Sequence, residues 1–220
     1  MATREKIIEI ALRLFGEQGF ARTSVAQIEG EAGLLPGGGG LFRHFRSKRE
    51  LLTEAVTHRL AHREDWEHLL DPEFSFVGML DSMAPTASQV DRIYILCELG
   101  LARLDHNRDV SRILMRDNSI DDAVLTAFRH NEYDAVMKVV TRALIELAGG
   151  ADGDWPAAAA TLVGAVSHFW LMADIFDGEH PSGIDSRRYL RATAELVAAR
   201  LEYASKQANI PSDSDTGGQS

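Results

Sequence analysis

The sequence predicts an all-α fold in two parts, a three-helix unit over residues 1–50 and a larger helical domain over residues 51–207. Apolar residues recur at spacings of three and four along most of the chain, and helix-capping patterns precede several of these stretches. No stretch alternates with the period of a β-strand. Residues 208–220 are polar, with Gly, Ser and Pro, and we expect this tail to be disordered.

The first 33 residues predict two helices. The first covers residues 3–18, ends at Gly19 and has an apolar face made of Ile7, Ile10, Ala11, Leu14 and Phe15. Ser24 and Gln27 form a reciprocal capping pattern that opens the second helix. Its apolar face consists of Val25, Ile28 and Ala32. Gly33 stands where a left-handed residue would end it.

A glycine-containing turn and a further short helix come next. Leu41 and Phe45, four residues apart, give this short helix its apolar face. Ser47 and Glu50 repeat the capping pattern and open a third helix. Two short helices joined by a glycine turn, with basic residues on the second, predict a helix-turn-helix. Such a unit places its second helix in the major groove of DNA.

The rest of the chain predicts further helices. The helix opened by Ser47 is expected to run to Asp71-Pro72, so that it links the two parts. Other helices are expected over residues 73–84, 88–105, 108–115, 119–148, 155–176 and 185–206. Ser88, Ser119 and Asp154 are their expected caps, and Pro156 is tolerated in a first turn.

Charge is unevenly distributed along the chain. The net charge is −10, yet residues 1–50 hold eight Lys and Arg against six acids, and residues 32–49 hold four basic residues and no acid. This pattern suits a protein that touches DNA at one end.

The start of the chain shows no secretion signal, and the single cysteine, Cys97, cannot form an internal disulfide. Both observations favour a cytoplasmic protein.

Several short motifs occur together between residues 4 and 56. They are Arg4-Glu-Lys-Ile-Ile8, Leu12-Arg-Leu-Phe-Gly-Glu-Gln-Gly-Phe20, Thr23-Ser-Val-Ala-Gln-Ile28, Ala32-Gly33, Leu41-Phe-Arg-His-Phe45 and Ser47-Lys48. As a set they resemble the DNA-binding domain of the TetR family of one-component repressors. The resemblance covers about a quarter of the chain, and the remainder resembles the family only in its helical architecture.

The resemblance implies a ligand-responsive repressor that binds a pseudo-palindromic DNA operator. It implies a homodimer in which the last two helices of each subunit form a four-helix bundle. It also implies that a small-molecule effector binds among the middle helices and moves the helix that begins at Ser47. An activator, rather than a repressor, stays open.

The DNA-binding residues follow from this resemblance and from side-chain chemistry. His44 and Lys48 are implied phosphate contacts, while Arg43 and Arg46 suit phosphate or guanine. For Arg46 a solvated helix start is an equal alternative. The candidates are Thr23, Ser24, Gly37, Gly38, Gly39, Gly40, Leu41, Phe42, Arg43, His44, Arg46 and Lys48.

Two features depart from the family pattern. Ten residues lie between Gly33 and His44, where the family usually has eight, and the four glycines stand where the family carries Ser, Lys or Thr. Close approach of the backbone to DNA and a looser turn both remain possible explanations of the glycines. Phe42 replaces a common Tyr and lacks a hydroxyl for phosphate.

Aromatic and methionine side chains of the middle helices suggest a site for a mainly apolar ligand. The candidates are Trp66, Met79, Met83, Tyr94, Phe128, Met137, His168 and Trp170, although a core role is favoured for each one taken alone.

The helix over residues 155–176 is apolar nearly all round. Burial is favoured over a membrane span because Pro156, His168 and Asp174 lie in it. Together with the last helix it suggests a subunit interface.

The remaining alternatives concern metal, redox and catalytic chemistry. His58, His62 and Asp65 share a helical face, but a solvated polar face is favoured over a metal site. A structural role is favoured for Cys97 over oxidant sensing. No nucleophile–base motif, nucleotide loop or zinc signature is found, so we expect no enzyme, metal or cofactor. A helical-bundle binding protein or enzyme with a structural N-terminal unit is the alternative hypothesis.

Overall fold

A computed structural model describes residues 4–61, 66–116 and 120–209. Within these ranges the secondary structure is helical, and no strand occurs. Ten α-helices follow one another along the described chain. They are α1 (Arg4–Gln18), α2 (Val25–Ala32), α3 (Lys48–Ala61), α4 (Phe76–Met83), α5 (Gln89–His106), α6 (Arg108–Arg116), α7 (Asp122–Phe128), α8 (Asp134–Leu147), α9 (Trp155–Ile175) and α10 (Ser186–Ala208).

Side-chain caps explain where many of these helices begin. Ser75, Asp121, Asp154 and Asp185 each accept a hydrogen bond from the backbone N–H three residues ahead. Ser88 and Asp91 cap α5 in the same reciprocal way as a capping box. The predicted cap Asp154 and the Pro in the first turn of α9 are confirmed. Ser119, another predicted cap, lies outside the described residues.

Two predicted helices are interrupted in the structure. The expected continuous helix from Ser47 to Asp71-Pro72 is wrong, because Trp66 lies in a turn and Glu67–Leu70 form a 3₁₀ helix. The expected long helix that ends near Gly149 is divided into α7 and α8 by a π-helical turn at Arg129–Tyr133. Hydrophobic spacing detects neither change, since a wider or tighter turn shifts the helical face only locally.

Packing divides the described chain into two units. The first comprises the described residues up to His68 together with those of Arg103–Val136. The second comprises Leu69–Ala102 and the described residues from Met137 onward. The predicted domain boundary at residue 50 stays a prediction.

The first unit has one hydrophobic core that α1, α2 and α3 share with α6 and α7. Val110 and Ile113 of α6 and Val124 of α7 are buried in it. At Gly16 a Cβ atom would lie 2.8 Å from the Cα atom of Asp109, so α1 and α6 pack at close range. The three N-terminal helices therefore bury their apolar faces with help from later helices, as expected for a unit too small to build its own core.

The second unit contains α4, most of α5 and α8, and the pair α9 and α10. Arg142 of α8 donates hydrogen bonds to the carbonyl oxygens of Leu69, Pro72 and Phe74, which fixes the chain ahead of α4. The length and composition of α9 would allow it to cross a membrane, but core helices of other proteins meet the same two criteria. Of the 18-residue stretch of α9 with the highest hydropathy, 28% is buried inside the structure.

Candidate nucleic-acid interface

The start and end of α2 match the sequence prediction. Ser24 Oγ accepts a hydrogen bond from the Gln27 amide at 3.1 Å, and Gln27 Oε1 accepts one from the Ser24 amide at 2.8 Å. Gly33 ends the helix with φ +80°, a left-handed conformation that glycine adopts without steric cost. The capping box and the glycine stop are therefore confirmed.

The predicted short second helix of the helix-turn-helix is present only as a single 3₁₀ turn and not as an α-helix. Only Leu41–Arg43 are helical, and they form one turn of 3₁₀ helix. Gly37 and Gly39 have φ values of +73° and +72°, which lie outside the right-handed α region. We refer to residues 35–46, which contain the glycines and this turn, as the reading segment.

Two buried side chains anchor the reading segment. Leu41 is fully buried and Phe45 is 2% exposed, and both belong to the core of the first unit. Arg43, His44 and Arg46 are exposed, so the segment turns its basic side chains toward solvent. The prediction that Leu41 and Phe45 form the inner face is confirmed. Leu41 lies in the 3₁₀ turn and Phe45 lies in irregular chain just after it, so no α-helix carries them.

Exposed apolar side chains lie within the same reading segment. Phe42 is 53% exposed and Leu35 is 78% exposed. Phe42 is one of the DNA-binding candidates predicted from the sequence, and Leu35 is not. Apolar side chains at a DNA surface contact the methyl group of thymine, which is a sequence-specific feature of the major groove.

Thr23 is placed differently from the other candidates. It is 1% exposed, and its hydroxyl lies 3.1 Å from the Leu14 carbonyl oxygen and 2.9 Å from that of Gly19. The hydroxyl therefore joins the end of α1 to the start of α2 and does not reach the surface. Ser24 remains exposed at the start of α2.

Lys48 is held by the protein itself. Its ammonium group donates to the carbonyl oxygens of Phe20 at 2.6 Å and Thr23 at 2.7 Å, and it lies 4.2 Å from the centroid of the Phe20 ring. These bonds connect the first turn of α3 to the turn between α1 and α2. The implied phosphate contact of Lys48 stays a prediction, and the structure gives this side chain a second role.

Substitution of Lys48 by Met is expected to destabilise the protein. Met keeps much of the aliphatic stem but loses two charge-assisted hydrogen bonds, each worth about 1.5–3 kcal/mol. A drop of at least about 2 kcal/mol in the free energy of unfolding is expected in urea denaturation. Lys138→Met, at an exposed position on α8, is the matched control and should change stability little. Equal stability of both variants would contradict the structural role of Lys48.

Glu29 is a residue of this site that the sequence analysis missed. It is fully buried on α2, and its carboxylate accepts hydrogen bonds from the amides of Gly37 at 2.7 Å and Leu41 at 2.9 Å. A signal was present in the sequence. Glu29 follows Val25 by four residues and Ile28 by one, so helical spacing places a carboxylate beside the apolar face of α2.

Two successive backbone amides of the reading segment, those of Gly39 and Gly40, are not used in hydrogen bonds among the described residues. The Gly38, Phe42 and Arg43 amides bond to carbonyl oxygens of the same segment. Within the described residues, the amides of Gly39 and Gly40 have no such acceptor. Gly39 is left-handed and Gly40 is right-handed, with φ −61° and ψ −33°. Successive amides in alternating conformations of this kind form a concave surface suited to an anion such as a phosphate.

An alanine at Gly39 tests the importance of this backbone conformation. Left-handed φ costs about 1–2 kcal/mol for a residue with a Cβ atom. Gly149→Ala is a matched control, because Gly149 has φ +60° and, like Gly39, open space around a Cβ atom. We expect both variants to lose similar stability in urea denaturation. Only Gly39→Ala should weaken DNA binding in fluorescence anisotropy, and equal DNA affinity of the two variants would count against the backbone role.

The eight ligand candidates are divided between the two units. Trp66 and Phe128 belong to the first unit, and the other six belong to the second. Trp66 and Trp170 are buried, while Met83 and His168 are exposed and Met79, Tyr94, Phe128 and Met137 are partly buried. The indole N–H of Trp66 has no acceptor among the described residues. The ligand assignment stays a prediction for all eight residues.

A groove of about 560 Å³ lies in the first unit, between α1, α3 and the junction of α5 and α6. Its lining is mixed, with apolar Ile8 and Leu12 beside Arg13, His58 and Asp109. None of the eight ligand candidates lines it. No cluster of metal-ligating residues occurs within the described residues, and His62 and Asp65 lie outside them.

Cys97 is 1% exposed within α5. Burial, together with the nearby charge of Glu98, raises the pKa of its thiol to about 12. The thiolate is the reactive form of cysteine, so this side chain is protonated and unreactive at neutral pH. The favoured structural role of Cys97 agrees with this geometry.

The arrangement of α1, α2, the reading segment and α3 defines a DNA-binding head of the helix-turn-helix class. The family model for bacterial regulatory proteins of the tetR family matches residues 7–55. The HTH-type transcriptional regulator TtgW of Pseudomonas putida is 31% identical over 120 residues, which cover 49% of this chain and 84% of TtgW. The chain belongs to the TetR family of bacterial regulatory proteins.

Other similarities agree with this assignment. The HTH-type transcriptional regulator AcrR of Shigella flexneri is 40% identical over 52 residues, and this match spans only 24% of the chain and 23% of AcrR. A solved structure from Mesorhizobium loti, assigned to the TetR family, has a TM-score of 0.63 at 18% identity and covers 91% of this chain and 98% of that one. That likeness shows a shared fold. The alternative of a binding protein or enzyme with a structural N-terminal unit is not favoured.

Proposed function

We propose that this chain is a ligand-responsive transcriptional regulator that binds a pseudo-palindromic DNA operator as a homodimer. It represses transcription while bound, and a mainly apolar small molecule releases the protein from the operator. The observation that carries the proposal is the reading segment. It presents Arg43, His44 and Arg46 to solvent and is anchored from beneath by Leu41 and Phe45. Family membership supports the same function.

DNA contact in this proposal uses both side chains and backbone. Arg43 and Arg46 supply guanidinium groups for phosphate or guanine, and His44 supplies a further polar contact. The amides of Gly39 and Gly40 supply donors that approach a phosphate without an intervening side chain. The absence of side chains on four residues shifts recognition toward the flanking residues, of which Leu35 and Phe42 are apolar.

The homodimer is proposed to form through α9 and α10. Four exposed residues of α10 share one face at helical spacing, namely Ala192, Leu196, Ala199 and Tyr203. Leu196 is 75% exposed and Tyr203 is 59% exposed. On α9 the exposed residues include Ala157, Ala160 and Gly164, which are small enough to let another helix approach closely. A second copy of this chain would cover these faces with an isologous interface.

The effector is proposed to be mainly apolar because aromatic and methionine side chains are frequent in the middle helices. Its release of DNA would act through the helix that begins after Ser47, as the family resemblance implies. A protein of this function works in the cytoplasm, where operator DNA is present.

A gel-shift experiment with the DNA upstream of the gene tests the proposed function. We expect a specific complex at moderate salt that an unrelated duplex of equal length does not displace. Addition of apolar compounds of different size, one at a time, should identify one that dissociates the complex. Absence of any specific complex at moderate salt would contradict the proposal, and a complex that no compound dissociates would contradict its ligand-responsive part.

A further inference from the structure

The Glu29 carboxylate lies in an environment that is unusual for a charged group. Glu29 is fully buried in the core-facing side of α2. Among the described residues, its hydrogen-bond partners are the two backbone amides of the reading segment, and no cation pairs with it. Burial of an unpaired charge is costly, so a buried carboxylate persists where hydrogen bonds to its oxygens compensate.

The two hydrogen bonds divide between the two carboxylate oxygens. Oε2 accepts from Gly37 and Oε1 accepts from Leu41. These two residues stand at the beginning of the four-glycine run and directly after its end. One side chain therefore holds both ends of the run at a fixed separation. Hydrogen bonds to an ionised acceptor are about twice as strong as neutral ones.

The four glycines need hydrogen bonds of this kind to keep one conformation. Glycine loses more conformational freedom on ordering than any other residue, and no regular α-helical ladder compensates for this loss here. Gly38 donates to the Leu35 carbonyl oxygen at 2.9 Å, and Gly39 accepts from the Phe42 amide at 3.2 Å. Both bonds stay within the reading segment. The link from the glycine run to another helix therefore depends on Glu29.

We propose that Glu29 is the positioning residue of the reading segment. Its buried carboxylate accepts hydrogen bonds from the Gly37 and Leu41 amides. These bonds hold the glycine backbone, and the exposed side chains that follow it, in the conformation that contacts DNA. Glu29 does not touch DNA in this arrangement. It replaces, with one side chain, the hydrogen-bond ladder that a recognition helix would supply. The inference rests on the proposed function and names the residue that positions that site.

Two substitutions of Glu29 separate positioning from folding. Glu29→Gln keeps the size but turns one acceptor into a donor, which then faces a backbone N–H, while Glu29→Ala removes both acceptors. Glu31→Gln is the control, because Glu31 lies on the same helix, is exposed and pairs with Arg13. All variants are made in the full-length chain. Hydrogen–deuterium exchange is followed by mass spectrometry on peptides that cover the reading segment.

The expected result has two parts. Exchange in the reading segment should accelerate about 10-fold or more in both Glu29 variants, while peptides from α1 and α3 keep their protection. Affinity for the operator should fall about 10-fold or more. Affinity for an unrelated duplex of the same length should fall by a clearly smaller factor, because the segment loses its base contacts as well as its phosphate contacts and only the phosphate contacts contribute to nonspecific binding. The Glu31 control should leave both quantities unchanged.

Each other outcome counts against the inference. Unchanged exchange in the reading segment of Glu29→Gln would overturn the anchoring role. An equal loss of specific and nonspecific binding, or loss of protection throughout the first unit in both variants, would give Glu29 a merely structural role and overturn positioning. If the wild-type chain binds no operator, the proposed function fails, and the exchange measurement still decides whether Glu29 holds the segment.

Discussion

Replacing Arg43 and His44 together by Ala is expected to abolish operator binding while the protein stays folded and dimeric. Both side chains are exposed, so their removal leaves no cavity. A guanidinium that reads guanine contributes about 1–3 kcal/mol to discrimination, and a lost phosphate contact weakens binding to all sequences. In the proposed homodimer two subunits bind one operator, so the loss occurs twice, and a decrease in affinity of at least about 100-fold is expected.

The chain offers a closely matched control for this experiment. Arg129 and His130 are a second adjacent Arg-His pair, and both are exposed in the π-helical turn between α7 and α8. The double variant Arg129→Ala/His130→Ala removes the same side chains from a position outside the reading segment. Fluorescence anisotropy with a labelled operator should show near-wild-type affinity for the control. Equal affinities of the two double variants would show that the reading segment does not contact DNA.

Replacing Leu196 by Glu is expected to separate the proposed homodimer into monomers. Leu196 is 75% exposed on the apolar face of α10. Burial of a Leu side chain contributes about 1.5–3 kcal/mol, and twofold symmetry removes this contribution twice. The introduced carboxylates would in addition be desolvated. We expect the dissociation constant of the dimer to rise at least about 100-fold, as measured by sedimentation velocity over a concentration series.

Ile145→Glu is the control for the interface experiment. Ile145 is 46% exposed on α8, so the same chemical change is made at an exposed apolar residue outside α9 and α10. This variant should remain dimeric. If Leu196→Glu sediments as the wild type does, the α10 face is not the dimer interface. The monomeric variant should also lose operator affinity, because one reading segment contacts only one half-site.

The sequence predicted most helices because their signals are local. Capping residues, glycine stops and apolar spacing depend on neighbours within one or two turns, and these placed α1, α2, α9 and α10 within a few residues of their observed ends. The buried pair Leu41 and Phe45 was also predicted correctly, since their spacing and apolar character hold in either kind of helical turn.

The sequence failed where a structure depends on contacts that are not local. The short second helix was expected from the positions of Leu41 and Phe45, but the glycines adopt left-handed conformations and Glu29 supplies hydrogen bonds from another helix. Lys48 donates hydrogen bonds to the carbonyl oxygens of Phe20 and Thr23, which lie more than twenty positions earlier in the chain. Hydrophobic spacing does not predict such bonds. A carboxylate beside an apolar helical face does indicate that a buried hydrogen bond is possible.

Hydroxyl-radical footprinting of the DNA upstream of the gene tests the central claim most directly, because it reports site, symmetry and number of contacts together. A dimer with two reading segments predicts protected patches related by a twofold axis, with their centres about one helical turn, 10–10.5 base pairs, or a multiple of it apart. Arg43→Ala/His44→Ala should remove both patches. Protection without twofold symmetry, or a uniform weak protection along the whole duplex, would contradict the account.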